Sequence, residues 1–293
     1  MKLTTILFAI DKKDRLMGFK CGRFVRLFAQ SLALAMTTTM TTAALCVGVN
    51  AAPSAQSSPL IAAASDLKFA LDDIAATFQK QTGKSVRVVY GSSGNFYRQI
   101  MQDAPFEIFL SADEDFVFKL AEQNLTVDRG VMYATGRIVL FAPKNAALKV
   151  DDRMTGLRRA LVEGRLKRFA IANPEHAPYG RAAMQALQRA DLWAKIEPKL
   201  VLGENVSQAA QFALSGAADG GIFAYSQALA PVVAQAGNYV LIPESMHAPL
   251  LQRMVLTRKA SDTAREFYTY LQATAALEVF KRYGFVLPDK SAR

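Results

Sequence analysis

Val86-Arg87-Val88-Val89-Tyr90 is followed at once by Gly91-Ser92-Ser93-Gly94-Asn95 and then by Phe96-Tyr97-Arg98-Gln99-Ile100-Met101. The first run is β-branched and aromatic, which suits a strand, and the last is helical. The joint between them is built of small residues. Strand, tight corner and helix in direct succession are the unit of an α/β fold. The same unit recurs along the chain. Ala62-Ala63-Ala64-Ser65-Asp66 precedes a helix over 67–81, in which Leu67, Leu71, Ile74 and Phe78 share one face. Gly83 sits where that helix needs a left-handed cap. Asn173-Pro174-Glu175-His176-Ala177-Pro178-Tyr179-Gly180 and Gly203-Glu204-Asn205-Val206-Ser207 each lead into another helix.

Outward from these corners, the runs 108–111, 137–141, 168–172, 221–224, 239–242 and 252–257 read as further strands. Helices are predicted over 116–123, 156–163, 180–192, 207–214 and 264–282. The pattern predicts mostly parallel sheets flanked by helices. About 235 residues beyond the N-terminus can bury a substantial core, and could divide into two lobes.

The N-terminus reads differently. Lys20, Arg23 and Arg26 stand before an apolar stretch, 27–49, and small residues follow at Ala51-Ala52. A basic start, an apolar middle and a small-residue end predict a secretory signal over 1–52, with a short linker over 53–59. Met17 is an alternative start. Secretion across the inner membrane into the periplasm is expected.

The chain has 293 residues, 51% of them hydrophobic, and a net charge of +10. Seven basic and two acidic residues of that balance lie in the first 51 positions, which leaves +5 for the remainder. Such a mild excess does not announce a nucleic-acid partner. Cys21 and Cys46 are the two cysteines, so the chain after the leader has no thiol for metal binding, catalysis or a disulfide. His176 and His247 carry no metal-ligand spacing. No Gly-x-Ser-x-Gly, Gly-x-Gly-x-x-Gly or phosphate-loop motif is present. No cofactor is expected, and the protein is not expected to be an enzyme.

The corners themselves carry chemistry. Each helix start exposes unpaired N–H groups and the positive end of a helix dipole. Ser65, Ser93 and Ser207 add hydroxyls at such starts. Taken one at a time these residues are ordinary caps. Converging, they would make an anion site. A hydrolase using Ser93 or Ser65 as nucleophile is a third possibility, but no adjacent base accompanies either serine.

Read as a set, the chain resembles the periplasmic molybdate-binding proteins of ABC importers. The resemblance rests on Ala62-Ala63-Ala64-Ser65-Asp66-Leu67, on Gly91-Ser92-Ser93-Gly94-Asn95-Phe96, and on Ala104-Pro105-Phe106-Glu107-Ile108-Phe109-Leu110-Ser111-Ala112-Asp113. The 173–180 corner and Phe280-Lys281-Arg282-Tyr283-Gly284-Phe285 complete it, in the same order. It implies the two-lobed periplasmic-binding-protein fold of type II, with lobe I from 60–138 and 249–293 and lobe II from 139–248. It implies a monomer that closes on molybdate, and on tungstate as well, and delivers the ion to an ABC permease in the inner membrane. Ser65 and Ser93 would offer hydroxyls and backbone N–H groups. Tyr179, Val206 and Asp66 would offer backbone N–H groups. No residue would touch the metal itself. Tyr225 stays outside this set. The Asp66 carboxylate is expected to turn away from the ion, towards the start of its own helix. Another oxyanion, such as sulfate or phosphate, is the alternative cargo.

Overall fold

The structure is a computed structural model, and it describes residues 58–289. The expected leader and residues 53–57 of the linker lie outside them. In chain order, the first half contains β1 (Leu60–Ala64), α1 (Lys68–Thr82), β2 (Arg87–Gly91), α2 (Ser93–Met101), β3 (Ile108–Ser111), α3 (Glu114–Glu122) and β4 (Val131–Gly136). The second contains β5 (Ile138–Pro143), α4 (Thr155–Val162), β6 (Phe169–Ala172), α5 (Pro178–Arg189), α6 (Trp193–Ile196), β7 (Leu200–Gly203), α7 (Val206–Leu214), β8 (Gly221–Ala224), α8 (Tyr225–Ala228), α9 (Pro231–Ala236) and β9 (Gly237–Leu241). The chain then returns through β10 (Leu250–Leu256), α10 (Asp262–Tyr270) and α11 (Thr274–Arg282).

Two five-stranded sheets result, ordered β2-β1-β3-β10-β4 and β7-β6-β8-β5-β9. The parallel pairing expected from the strand–helix repeats holds in one trio per sheet, around β1 and around β6. The other two pairings of each sheet are antiparallel. The reason lies in the connections. β4 runs into β5 through Arg137 alone, and β10 comes back from the second sheet, so neither arrives by the helical crossover that a parallel neighbour requires.

Side chains on β1 and β3 alternate between two apolar layers. Ile61, Ala63, Ile108 and Leu110 face one core with Phe78 and Phe280, and Ala62 and Phe109 face another with Phe96 and Ile100. Strands covered on both faces read as unbroken apolar runs, as these do. Leu67, Leu71, Ile74 and Phe78 are all buried, and Gly83 adopts φ 72° and donates its N–H to the Gln79 carbonyl. That agrees with the helix stripe and the cap read from the sequence.

Three strands were not foreseen: β1, β4 and β7. The expected helix over 264–282 is also two helices, broken at Leu271–Ala273. At about 100° per residue, an unbroken helix would put Ala264, Phe267 and Tyr268 on the opposite side from Ala276, Leu277 and Phe280. All six are buried, and the break lets both stripes face the core. No described helix is long and apolar enough to cross a membrane.

Candidate functional site

Ligands in open α/β sheets collect beyond the carboxyl ends of the parallel strands. Here the two parallel trios aim those ends at each other. Ser65 follows β1, Ser93 opens α2 after β2, and Ala112 follows β3. From the other sheet, Tyr179 lies in the first turn of α5 after β6, and Val206 opens α7 after β7. These residues, with Asp66 and Ser92, line one small cavity. Ser65, Asp66, Ser93, Tyr179 and Val206, far apart in the chain, are thus brought together and are all buried.

The hydroxyls are already oriented by the protein. Ser93 Oγ accepts the Ala112 N–H at 2.9 Å. Ser65 Oγ accepts the Ser207 N–H, which comes from the other sheet, at 3.2 Å. Each hydroxyl therefore has an acceptor site in use, and its own proton remains to be donated. The N–H groups of Ser93, Tyr179 and Val206 stand in first helical turns and have no acceptor among the described residues. No Lys or Arg lines the cavity. A larger open groove of about 500 Å³ lies alongside, and its charged lining residues are Asp113, Asp115 and Glu175 with Lys119 and Arg181, of which Arg181 pairs with Asp113.

Asp66 departs from expectation. Its carboxylate does not lie free at its helix start. Oδ2 accepts the Tyr179 hydroxyl at 2.9 Å and Gln252 Nε2 at 2.7 Å. Oδ1 is buried and has no partner among the described residues. Burial raises the carboxyl pKa from the usual 3.8 to about 6, against the lowering by these hydrogen bonds. Gly136, at the end of β4, makes room for the cluster, because a Cβ there would fall 2.3 Å from the Tyr179 hydroxyl.

The two halves meet around the cavity. Gly94 N–H donates to the His176 carbonyl at 3.0 Å, and Ser92 Oγ lies 2.9 Å from His176 Nδ1. Ser226 Oγ donates to the Asp66 carbonyl at 2.8 Å. Gln227 Nε2 reaches the Ser65 carbonyl at 3.2 Å and Ser207 Oγ at 2.6 Å. Tyr133 donates its hydroxyl to Gln252 Oε1 at 2.8 Å. Sequence reasoning gave no role to Ser226, Gln227, Gln252 or Tyr133, and no local signal marks them, because their partners are distant in the chain. Ser92 stood inside the Gly-Ser-Ser-Gly corner and was legible as a neighbour of Ser93. Tyr225 does not line the cavity. It is half-buried against Tyr239.

Residues 59–286 match the sequence model of a family described as bacterial extracellular solute-binding protein. The chain belongs to that family. Among similar proteins, the molybdate-binding protein ModA of Rhodobacter capsulatus is 36% identical over 249 residues, covering 84% of this chain and 94% of that one. The molybdate-binding protein ModA of Azotobacter vinelandii is 36% identical over 230 residues, 78% of this chain and 89% of its own. The solved structure of the Azotobacter vinelandii periplasmic molybdate-binding protein superposes with a TM-score of 0.72 at 31% identity, covering 79% of this chain and all of that one. The solute-binding family accounts for the architecture. Two lobes, one per sheet, face each other across a cleft, and the buried cavity lies between their strand ends.

Proposed function

We propose that this solute-binding protein captures molybdate, and tungstate with it, in the cavity between its lobes and delivers the ion to an ABC permease. The observation that carries the reading is the donor set. Two hydroxyls whose acceptor sites are engaged by the protein, and three N–H groups in first helical turns, converge on one buried point without a cation among them. Such a set suits a fully deprotonated tetrahedral oxyanion. A protonated oxyanion brings a donor that finds no acceptor among these five groups, which is costly when buried. At roughly 1.5–3 kcal/mol for each hydrogen bond to a charged acceptor, five donors supply a gross of order 10 kcal/mol before association costs. The similarity to molybdate-binding relatives over nearly the whole described chain supports the same cargo. The basic, apolar and small-residue succession over 1–52 supports export to the periplasm. Ser65, Ser93, Tyr179 and Val206 are the donors of this reading, and the ion is cargo rather than cofactor.

Asp66 is the one observation favouring a second reading. An ionised carboxylate at the cavity would accept a proton from hydrogen phosphate. A thermal-shift panel separates the two cargoes. A ligand at a thousandfold excess over its Kd stabilises by about 4 kcal/mol, roughly 8–16 °C for a domain of this size. Molybdate and tungstate are expected to give shifts of this order, and sulfate and phosphate much less. A phosphate shift equal to that of molybdate refutes the proposed cargo.

A further inference from the structure

The Asp66 carboxyl is a specific problem for an anion site. It is 1% exposed, lines the cavity and has one oxygen without a partner. The surrounding hydrogen bonds decide which oxygen can carry a proton. Tyr133 donates to Gln252 Oε1 at 2.8 Å, and this orients the amide so that Nε2 faces Asp66 Oδ2. The Tyr179 hydroxyl donates to the same oxygen. Oδ2 thus accepts two donors, and Oδ1 is left for a proton.

We propose that Asp66 binds the oxyanion as a neutral carboxylic acid, donating from Oδ1 while Oδ2 stays the acceptor for Tyr179 and Gln252. The inference rests on the molybdate reading above and adds a donor to it. Ionised, the group is an acceptor only and repels the ion. Protonated, it becomes one more neutral donor. The proton comes from solvent, one for each ion captured, and returns there on release. Nothing charged competes for it. The groups facing Asp66 are Tyr133 from β4, Tyr179 from α5, Gln252 from β10 and Ser226 from α8. Burial holds both tyrosines well above their ordinary pKa, so they stay neutral. At the start of α1, just after Asp66, Lys68 is exposed and pairs with Asp72.

The sign follows from linkage. The bound state holds a proton that the free state loses as pH rises, so affinity falls with pH between the two pKa values. Titration calorimetry with sodium molybdate, from pH 6.5 to 8.5 in buffers of different ionisation heat, reads the coupling directly. Wild type is expected to take up about 0.5–1 proton per ion at pH 7, and its Kd to weaken by up to about tenfold per pH unit above the free-state pKa. Asp66→Asn supplies a permanent neutral donor. It is expected to bind molybdate with no proton uptake and a flat Kd. Tyr179→Phe removes one donor from Oδ2 and is expected to keep the uptake but move the pH-dependent window upward. It decides the matter if Asp66→Asn fails to fold. Wild-type binding without proton uptake, uptake unchanged in Asp66→Asn, or a window unmoved in Tyr179→Phe overturns the proposal while leaving the molybdate reading intact. A folded wild type that binds no molybdate at any pH overturns the molybdate reading, and this inference with it. Tight phosphate binding lost in Asp66→Asn shows the carboxylate acting as an acceptor and likewise overturns it.

Discussion

Replacing Ser93 by alanine separates the two roles that its hydroxyl plays. The side chain is fully buried, accepts the Ala112 N–H, and has one proton left to give. Ser93→Ala deletes both. The lost donor weakens molybdate binding by about 1.5–3 kcal/mol, roughly 10–150-fold in Kd. The orphaned Ala112 N–H costs about 1–3 kcal/mol of stability, or roughly 2–12 °C in melting temperature. This second cost is present with and without the ion, so it cancels from Kd. Calorimetry reads the first quantity and thermal melts of the protein alone read the second. Ser92→Ala is the control. Ser92 Oγ caps α2 through the Asn95 N–H at 3.3 Å and touches His176, so its loss should cost about 1 kcal/mol of stability. Its effect on Kd should be smaller than that of Ser93→Ala. A Ser93→Ala protein that melts lower yet binds molybdate within twofold of wild type refutes the assignment of its hydroxyl as a donor to the ion.

Two further substitutions probe the backbone and the closure. Val206 is the first residue of α7 and follows Asn205 in an extended conformation, φ −152° and ψ 174°, so proline fits there without disturbing the helix. Val206→Pro should therefore fold normally but bind molybdate at least tenfold more weakly, whereas Val206→Ala stays close to wild type; the reverse order in calorimetry shows that the side chain, not the N–H, serves the ion. Gly94→Ala places a Cβ 2.6 Å from the His176 carbonyl across the two lobes. Small-angle scattering should show wild type contracting with molybdate and Gly94→Ala failing to contract, and an equal contraction in both rules out this contact as part of closure.

Local signals carried much of this fold. Gly83 announced the end of α1 because a left-handed cap needs a residue without a Cβ, and the apolar spacing of Leu67, Leu71, Ile74 and Phe78 announced its buried face. The small residues between β2 and α2 showed a strand meeting a helix. β1 was harder to see. Leu60-Ile61-Ala62-Ala63-Ala64 is rich in alanine, a poor strand former by propensity, and is held in the sheet by pairing on both sides with β2 and β3. The break between α10 and α11 has no glycine or proline to mark it, and exists because one straight helix cannot turn both apolar stripes to the same core.

By itself, the sequence determined the α/β class and the corners where helix starts would present donors, because both depend on contacts within a few residues that short-range spacing encodes. The five residues to examine at those corners came from the resemblance to the molybdate-binding family. Tertiary structure alone decided which atoms are free to donate. Ser65 gains its orientation from Ser207, which is 142 positions away, and Ser93 from Ala112 just after β3. The environment of Asp66 is set by Tyr133, Tyr179, Gln252 and Ser226, drawn from both halves of the chain. A carboxyl's charge depends on its dielectric surroundings and its donors. Both are fixed only when the two sheets bring their strand ends face to face and exclude water from the space between them.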